Sequence, residues 1–165
     1  MYNTSTQMEK RKERVTDPEE SPAYLTALKH LADIPELAFN TTNQLITLSN
    51  LETQKYIEVN QAFLETTGYS REDIIGKTSE DIQLYVDLIQ NRKYMRLLTR
   101  LKRVSDLEIN LRMRSGEERA FLFSARTFFV GEDIYLITYY NDISALNGGY
   151  ARAESEKILR EIFDS

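Results

Sequence analysis

The chain has 165 residues, 41% of them hydrophobic and 28% charged, with a formal net charge of −5 at neutral pH. That length allows one domain with extensions and a proper hydrophobic core, and the acidic balance argues against nucleic acid, whose phosphates favour a basic face. The absence of cysteine excludes a disulfide scaffold and a thiolate catalyst. No apolar run approaches the roughly 20 residues that span a bilayer, so neither a membrane span nor membrane contact is expected, and a cytoplasmic location is.

Residues 1–22 read as a flexible polar leader, nearly devoid of apolar side chains and lacking the apolar stretch of a secretory signal. Lys10, Arg11 and Lys12 within it are expected to be solvated. Residues 23–44 form an N-terminal helical extension. In it Leu25, Leu28, Leu31 and Ala32 recur at helical spacing, until Pro35 stops or bends the helix. Its apolar side calls for a cover, either the domain or a second copy of the chain.

Two strands follow at 45–49 and 56–59, separated by a polar turn at 50–54. Asn60 is placed to cap a short helix, Gly68 to end it with a positive φ, and Ser70 with Asp73 to open another through a capping box. Thr78 with Asp81 repeats that pairing and predicts a further helix. A longer helix is expected over 86–103. Its apolar face is Tyr94, Leu97, Leu98 and Leu101, and its solvated face Arg92, Arg96, Arg100 and Arg103.

The last third alternates as strands. Leu107, Ile109, Leu111 and Met113 interleave with Glu108, Asn110, Arg112 and Arg114. Ser115 and Gly116 turn the chain into a strand at 119–130, and Gly131, Glu132 and Asp133 into one at 134–143. Phe121, Phe123, Phe128 and Phe129 share the middle strand, so alternate rings point to opposite faces, and an exposed one would mark a partner surface. Residues 145–165 read as a C-terminal helix. There Ala151, Ser155, Ile158 and Ile162 have the 4-3-4 spacing of a coiled-coil seam, though a capping helix fits as well.

Three stretches carry a family resemblance: Glu58-Val59-Asn60-Gln61-Ala62-Phe63, then Thr67-Gly68-Tyr69-Ser70 with Ile75-Gly76-Lys77, and the closing Asn141-Asp142-Ile143-Ser144. Over residues 45–144 the chain resembles PAS domains. The resemblance implies an α+β fold: a five-stranded antiparallel sheet with helices on one face, flanked by N-terminal and C-terminal helical extensions. It also implies a sensory module of signal transduction, of the kind found upstream of histidine kinases in two-component systems or of diguanylate cyclases. Such a module binds a small ligand or cofactor non-covalently, forms a homodimer, and relays its state through the C-terminal helix to an output domain in a longer parent. The expected pocket residues are Phe63, Leu98, Leu122, Ser124, Thr138 and Tyr140, and the expected signal junction is Asp142, Ile143 and Ser144.

The missing chemistry narrows the cofactor. His30 is the single histidine and precedes the core, whereas haem-binding PAS domains draw an axial histidine from the long helix, so histidine-ligated haem is not expected. Covalent flavin and a thioester chromophore both need a cysteine; non-covalent flavin or a small metabolite stays open. Zinc sites and Ser-His-Asp triads lack their His and Cys, so no metal site and no catalytic residue is assigned. A small pocketed enzyme would need a buried carboxylate opposite a tyrosine donor. Tyr139 and Tyr140 must point to opposite faces of their strand, yet no acid is placed to partner the inward one. Two other readings therefore stand beside the sensor: a ligand-free dimerisation or protein-interaction module, and, more remotely, that enzyme.

Overall fold

The computed structural model describes residues 22–32, 34 and 36–144. The expected leader before residue 22 and the C-terminal helix at 145–165, with its Ala151, Ser155, Ile158 and Ile162 seam, lie outside the described residues. Helices α1 (Pro22–Leu31) and α2 (Glu36–Thr41) precede strands β1 (Leu45–Asn50) and β2 (Tyr56–Val59). Short helices α3 (Gln61–Thr67) and α4 (Arg71–Ile74) and the longer α5 (Leu88–Leu101) lead to β3 (Arg103–Arg112), β4 (Glu118–Val130) and β5 (Asp133–Asp142).

The strands form one antiparallel sheet in the order β2-β1-β5-β4-β3. The last strand is thus central, pairing with β1 on one side and β4 on the other, and Tyr135 to Thr138 are buried in an unbroken run. A strand covered on both faces has no water-facing side to alternate toward.

The sequence accounts for the local elements. Asn60 caps α3, its side chain accepting from the Phe63 amide, and Gly68 ends that helix at φ 81°. Ser70 and Asp73 form the expected reciprocal capping box at α4. Thr78 and Asp81 make the same exchange, at 2.9 and 3.1 Å, but no helix follows. The chain stays in turns as far as Gln83, which takes φ 53°. Tyr85 then bridges to Leu111, while the Arg112 amide donates to Leu84 and the Val86 amide to Asn110. Ladder pairing with β3 claims the backbone groups that a helix would need. Helix α5 is also shorter than expected: Asp87 caps it, Lys102 ends it in the left-handed region, and Arg103 begins β3. Leu101, expected on the apolar face, is half exposed.

Two apolar cores sandwich the sheet. On the inner face Phe63 of α3, Ile74 of α4 and Tyr94, Leu97 and Leu98 of α5 pack on Leu45, Phe121, Phe123, Leu136 and Tyr140. On the outer face Leu28 of α1 and Phe39 of α2 pack with Ala32 and Ile34 on Ile46, Leu48, Ile57, Phe128, Tyr135 and Ile137. Arg126 of β4 donates to the Ala32 carbonyl, and the hydroxyls of Tyr24 and Tyr135 bond to each other. The N-terminal extension therefore covers the sheet of its own chain, and of the two covers expected for its apolar side the domain supplies one.

Candidate functional site

Strand alternation aims Thr47 and Ser49 of β1, and Leu136, Thr138 and Tyr140 of β5, at the inner core; Thr47 and Thr138 are direct cross-strand partners. Tyr56 of β2, Ser79 and Tyr85 from the loop before α5, and Asn91 and Met95 of α5 close over them. These side chains line a cavity of about 30 Å³ that opens toward Gln54. That volume is about a water molecule's share of the liquid, against roughly 300–1,000 Å³ for pockets that enclose drug-sized ligands.

The cavity wall is unusually polar for a core. The hydroxyls of Tyr85 and Tyr140 bond to each other, and that of Tyr56 lies in reach of both and of Ser79. All three tyrosines are buried. Burial, the first cause in each case, pushes the Tyr85 hydroxyl up to about 12 and those of Tyr56 and Tyr140 well above 10.0. The cluster is therefore neutral at ordinary pH, and no residue lining the cavity carries a formal charge. Thr47 Oγ1 sits near the Tyr140 hydroxyl without hydrogen-bonding geometry. It and Asn91 Oδ1 are the buried side-chain polar atoms without a partner among the described residues. Tyr140 is itself held by aromatic rings of the core: those of Phe63, Phe121 and Phe123 lie with centroids 6.5, 6.3 and 5.7 Å from its own.

Of the expected pocket residues, Thr138 and Tyr140 line the cavity, Phe63 packs on Tyr140, and Leu98 is buried in the same core. Leu122 and Ser124 fall on the other side. Phe121, Phe123 and Ala125 take the inward positions of β4, so the residues between them point outward, and Ser124 Oγ instead accepts from the Asp106 amide at the β3 bulge. Thr47, Tyr56, Tyr85 and Asn91 were not singled out from the sequence. Counting alternation along β1 from Leu45 finds Thr47; only the tertiary bridge to Leu111 places Tyr85.

At the expected junction Asp142 pairs with Arg119 of β4 and accepts from the Ser144 amide at 2.9 Å and from its hydroxyl. Ile143 is buried, and its amide donates to Ala120 at 3.1 Å. His30 is exposed on α1, outside this core. Among the described residues no group of three His, Asp or Glu side chains gathers as metal ligands, and no helix is long and apolar enough to cross a membrane.

A PAS domain family profile matches residues 44–145. The chain belongs to the PAS domain family. No curated protein matches it. Solved PAS domains share its fold: one from a two-component sensor histidine kinase is 17% identical, with TM-score 0.55, covering 64% of this chain and 90% of the other. One from an HTR-like protein of Haloarcula marismortui is 16% identical, with TM-score 0.55, covering 82% and 99%. A LOV protein of Rhodobacter sphaeroides is 18% identical, with TM-score 0.57, covering 68% and 66%. PAS domains are generally sensory modules, and this chain is a PAS sensory domain.

Proposed function

We propose that this PAS domain senses a small molecule bound non-covalently in its inner core and passes that state through β5 to an output segment after residue 144. The observation that carries this reading is the polar cavity, in which Thr47 Oγ1 and Asn91 Oδ1 are buried without partners beside neutral tyrosine hydroxyls. A core selected for stability alone would have paired or removed them. The domain runs over 45–144, between the N-terminal extension and the C-terminal helix, works in the cytoplasm, and has no catalytic role of its own. A cavity of about 30 Å³ favours a small metabolite over flavin, which would have to displace the Tyr56, Tyr85 and Tyr140 side chains that line it.

A screen of small metabolites and flavins by thermal shift tests the reading. At least one compound should raise the melting temperature of the wild type but not of Thr138→Leu, which fills the cavity. A panel that shifts neither protein, or both alike, would sink it.

The second reading is a ligand-free homodimerisation or interaction module. Leu88, Ile89 and Leu101 of α5 and Phe129 of β4 support it, being large apolar side chains left exposed, Ile89 at 66% and Phe129 at 60%. Sedimentation equilibrium at micromolar concentration separates monomer from homodimer. A dimer that persists in Ile89→Lys and Phe129→Lys would not use this surface.

A further inference from the structure

We propose that the core cavity selects a small uncharged molecule that both donates and accepts hydrogen bonds, in the class of short amides, ureas and alcohols. This rests on the sensory reading of the same cavity and adds its ligand chemistry.

The donor requirement comes from Asn91. Its Oδ1 can only accept, it is buried, and it has no partner among the described residues. Thr47 is 1% exposed, and its partnerless Oγ1 can donate or accept a hydrogen bond. The hydroxyls of Tyr56, Tyr85 and Tyr140 rotate to suit either role, so an acceptor on the ligand finds donors among them.

Neutrality comes from the whole lining. The groups around the cavity are Thr47, Ser49, Asn50, Gln54, Tyr56, Ser79, Asn91, Thr138 and the other two tyrosines, with apolar neighbours; none is a counterion. Burial holds the phenols un-ionised, so they cannot supply a negative charge for a cation. An ion entering this site would lose its hydration without compensation. Size follows from the volume of about 30 Å³, close to one water molecule's share of the liquid, so only the smallest members of the class enter, and the lining side chains must give way to take them. Gln54 is exposed and Ser79 half-buried, and they mark the way in.

The open groove between α2, β2 and α4 is larger, at about 340 Å³. Its charged groups already satisfy one another: Glu58 is buried and pairs with Arg71 and with Lys29. Unmet hydrogen-bonding capacity lies in the core instead.

Three near-isosteric probes test the class on the full chain by amide-resolved NMR titration. Acetamide donates and accepts, acetone only accepts, and acetate is charged. Acetamide should move the amide signals of Thr47, Asn91 and Thr138 saturably. Acetone and acetate should bind at least about tenfold more weakly, the cost of one unmet hydrogen bond. Thr47→Val and Asn91→Leu should each lose acetamide binding, yet melt at the same temperature as the wild type or higher, because an unpaired buried polar atom has been removed. If acetone or acetate binds as well as acetamide, the class is wrong while the sensory reading survives. If no probe moves these signals and Thr47→Val still melts higher, the cavity holds water alone. That result overturns the inference and leaves the sensory reading to its own screen.

Discussion

Asn60 concentrates more of the fold than any other single side chain described. Its Oδ1 accepts from the amides of Ile46 at 2.9 Å and Phe63 at 3.0 Å, and its Nδ2 donates to the carbonyls of Phe39 at 2.9 Å and Gln44 at 2.8 Å. One fully buried amide thus ties α2, β1 and α3 together and leaves none of its own capacity unmet. Asn60→Ala should cost about 3 kcal/mol in urea unfolding, more than an N-cap alone, since buried backbone groups lose their partners. Asn60→Asp should fare little better, because a carboxylate keeps the acceptor bonds but faces two carbonyl oxygens. A loss below about 1 kcal/mol would mean that water replaces the side chain. The N-cap was legible from position alone; the other bonds reach 14 to 21 residues away and have no local signal. The tyrosine cluster has a pH signature. The folded-state pKa of Tyr85 is raised to about 12, and those of Tyr56 and Tyr140 also lie above the ordinary 10.0. The neutral phenols therefore contribute their full stability below pH 10.0 and lose it as pH rises above that, the Tyr85 share through about 12. A tyrosinate absorbance titration should show the three buried cavity tyrosines ionising only above pH 10.0, in a step that coincides with loss of circular dichroism. One smooth step near pH 10.0 would show hydroxyls open to water.

At the scale of elements, α1 and α2 act as a cover for the outer face of the sheet. Leu28 is fully buried there against apolar side chains of the strands. Leu28→Ala should destabilise the protein by about 3 kcal/mol and expose the outer face to a hydrophobic dye. Unchanged stability and no dye binding would mean that the helix adds little to the fold. The elements most legible in the sequence were those with local instructions: the capped ends of α3 and α4, the glycine after α3, and the alternating strands. The elements that escaped were decided by distant partners. Thr78 and Asp81 make the hydrogen bonds that open a helix, but pairing of the next residues with β3 overrides them. The same holds within the site. Leu122 and Ser124 have the composition of pocket residues, and only the parity set by Phe121 and Phe123 packing inward sends them outward. On β5 the sequence said only that one of Tyr139 and Tyr140 faces inward, and the packing of Leu136 and Tyr140 in the inner core decides it.

On the scale of the whole molecule, β5 connects the cavity to the end of the sheet. Tyr140 takes part in the hydroxyl cluster, and two residues further Asp142 holds Arg119 of β4 and the backbone and side chain of Ser144. Ile143 is fixed between them by its burial and its bond to Ala120. A ligand can alter this junction only if it binds two arrangements of β5 with different affinity, and the coupling must then run in both directions. Saturating acetamide should slow hydrogen exchange at Ile143 and Ser144 in the wild type. Asp142→Ala removes both anchors of the junction without touching the cavity. In that variant acetamide should still move the Thr47 and Asn91 signals, exchange along β3 should match the wild type, and the effect at Ile143 and Ser144 should vanish. A shift in acetamide affinity equal to the lost coupling would show the reciprocal arm of the same linkage. Equal protection at Ile143 in both proteins, with and without acetamide, would make the junction a passive linker. Ligand occupancy would then have no path along β5, and the exposed apolar side chains of α5 and β4 would become the better explanation of what the domain does.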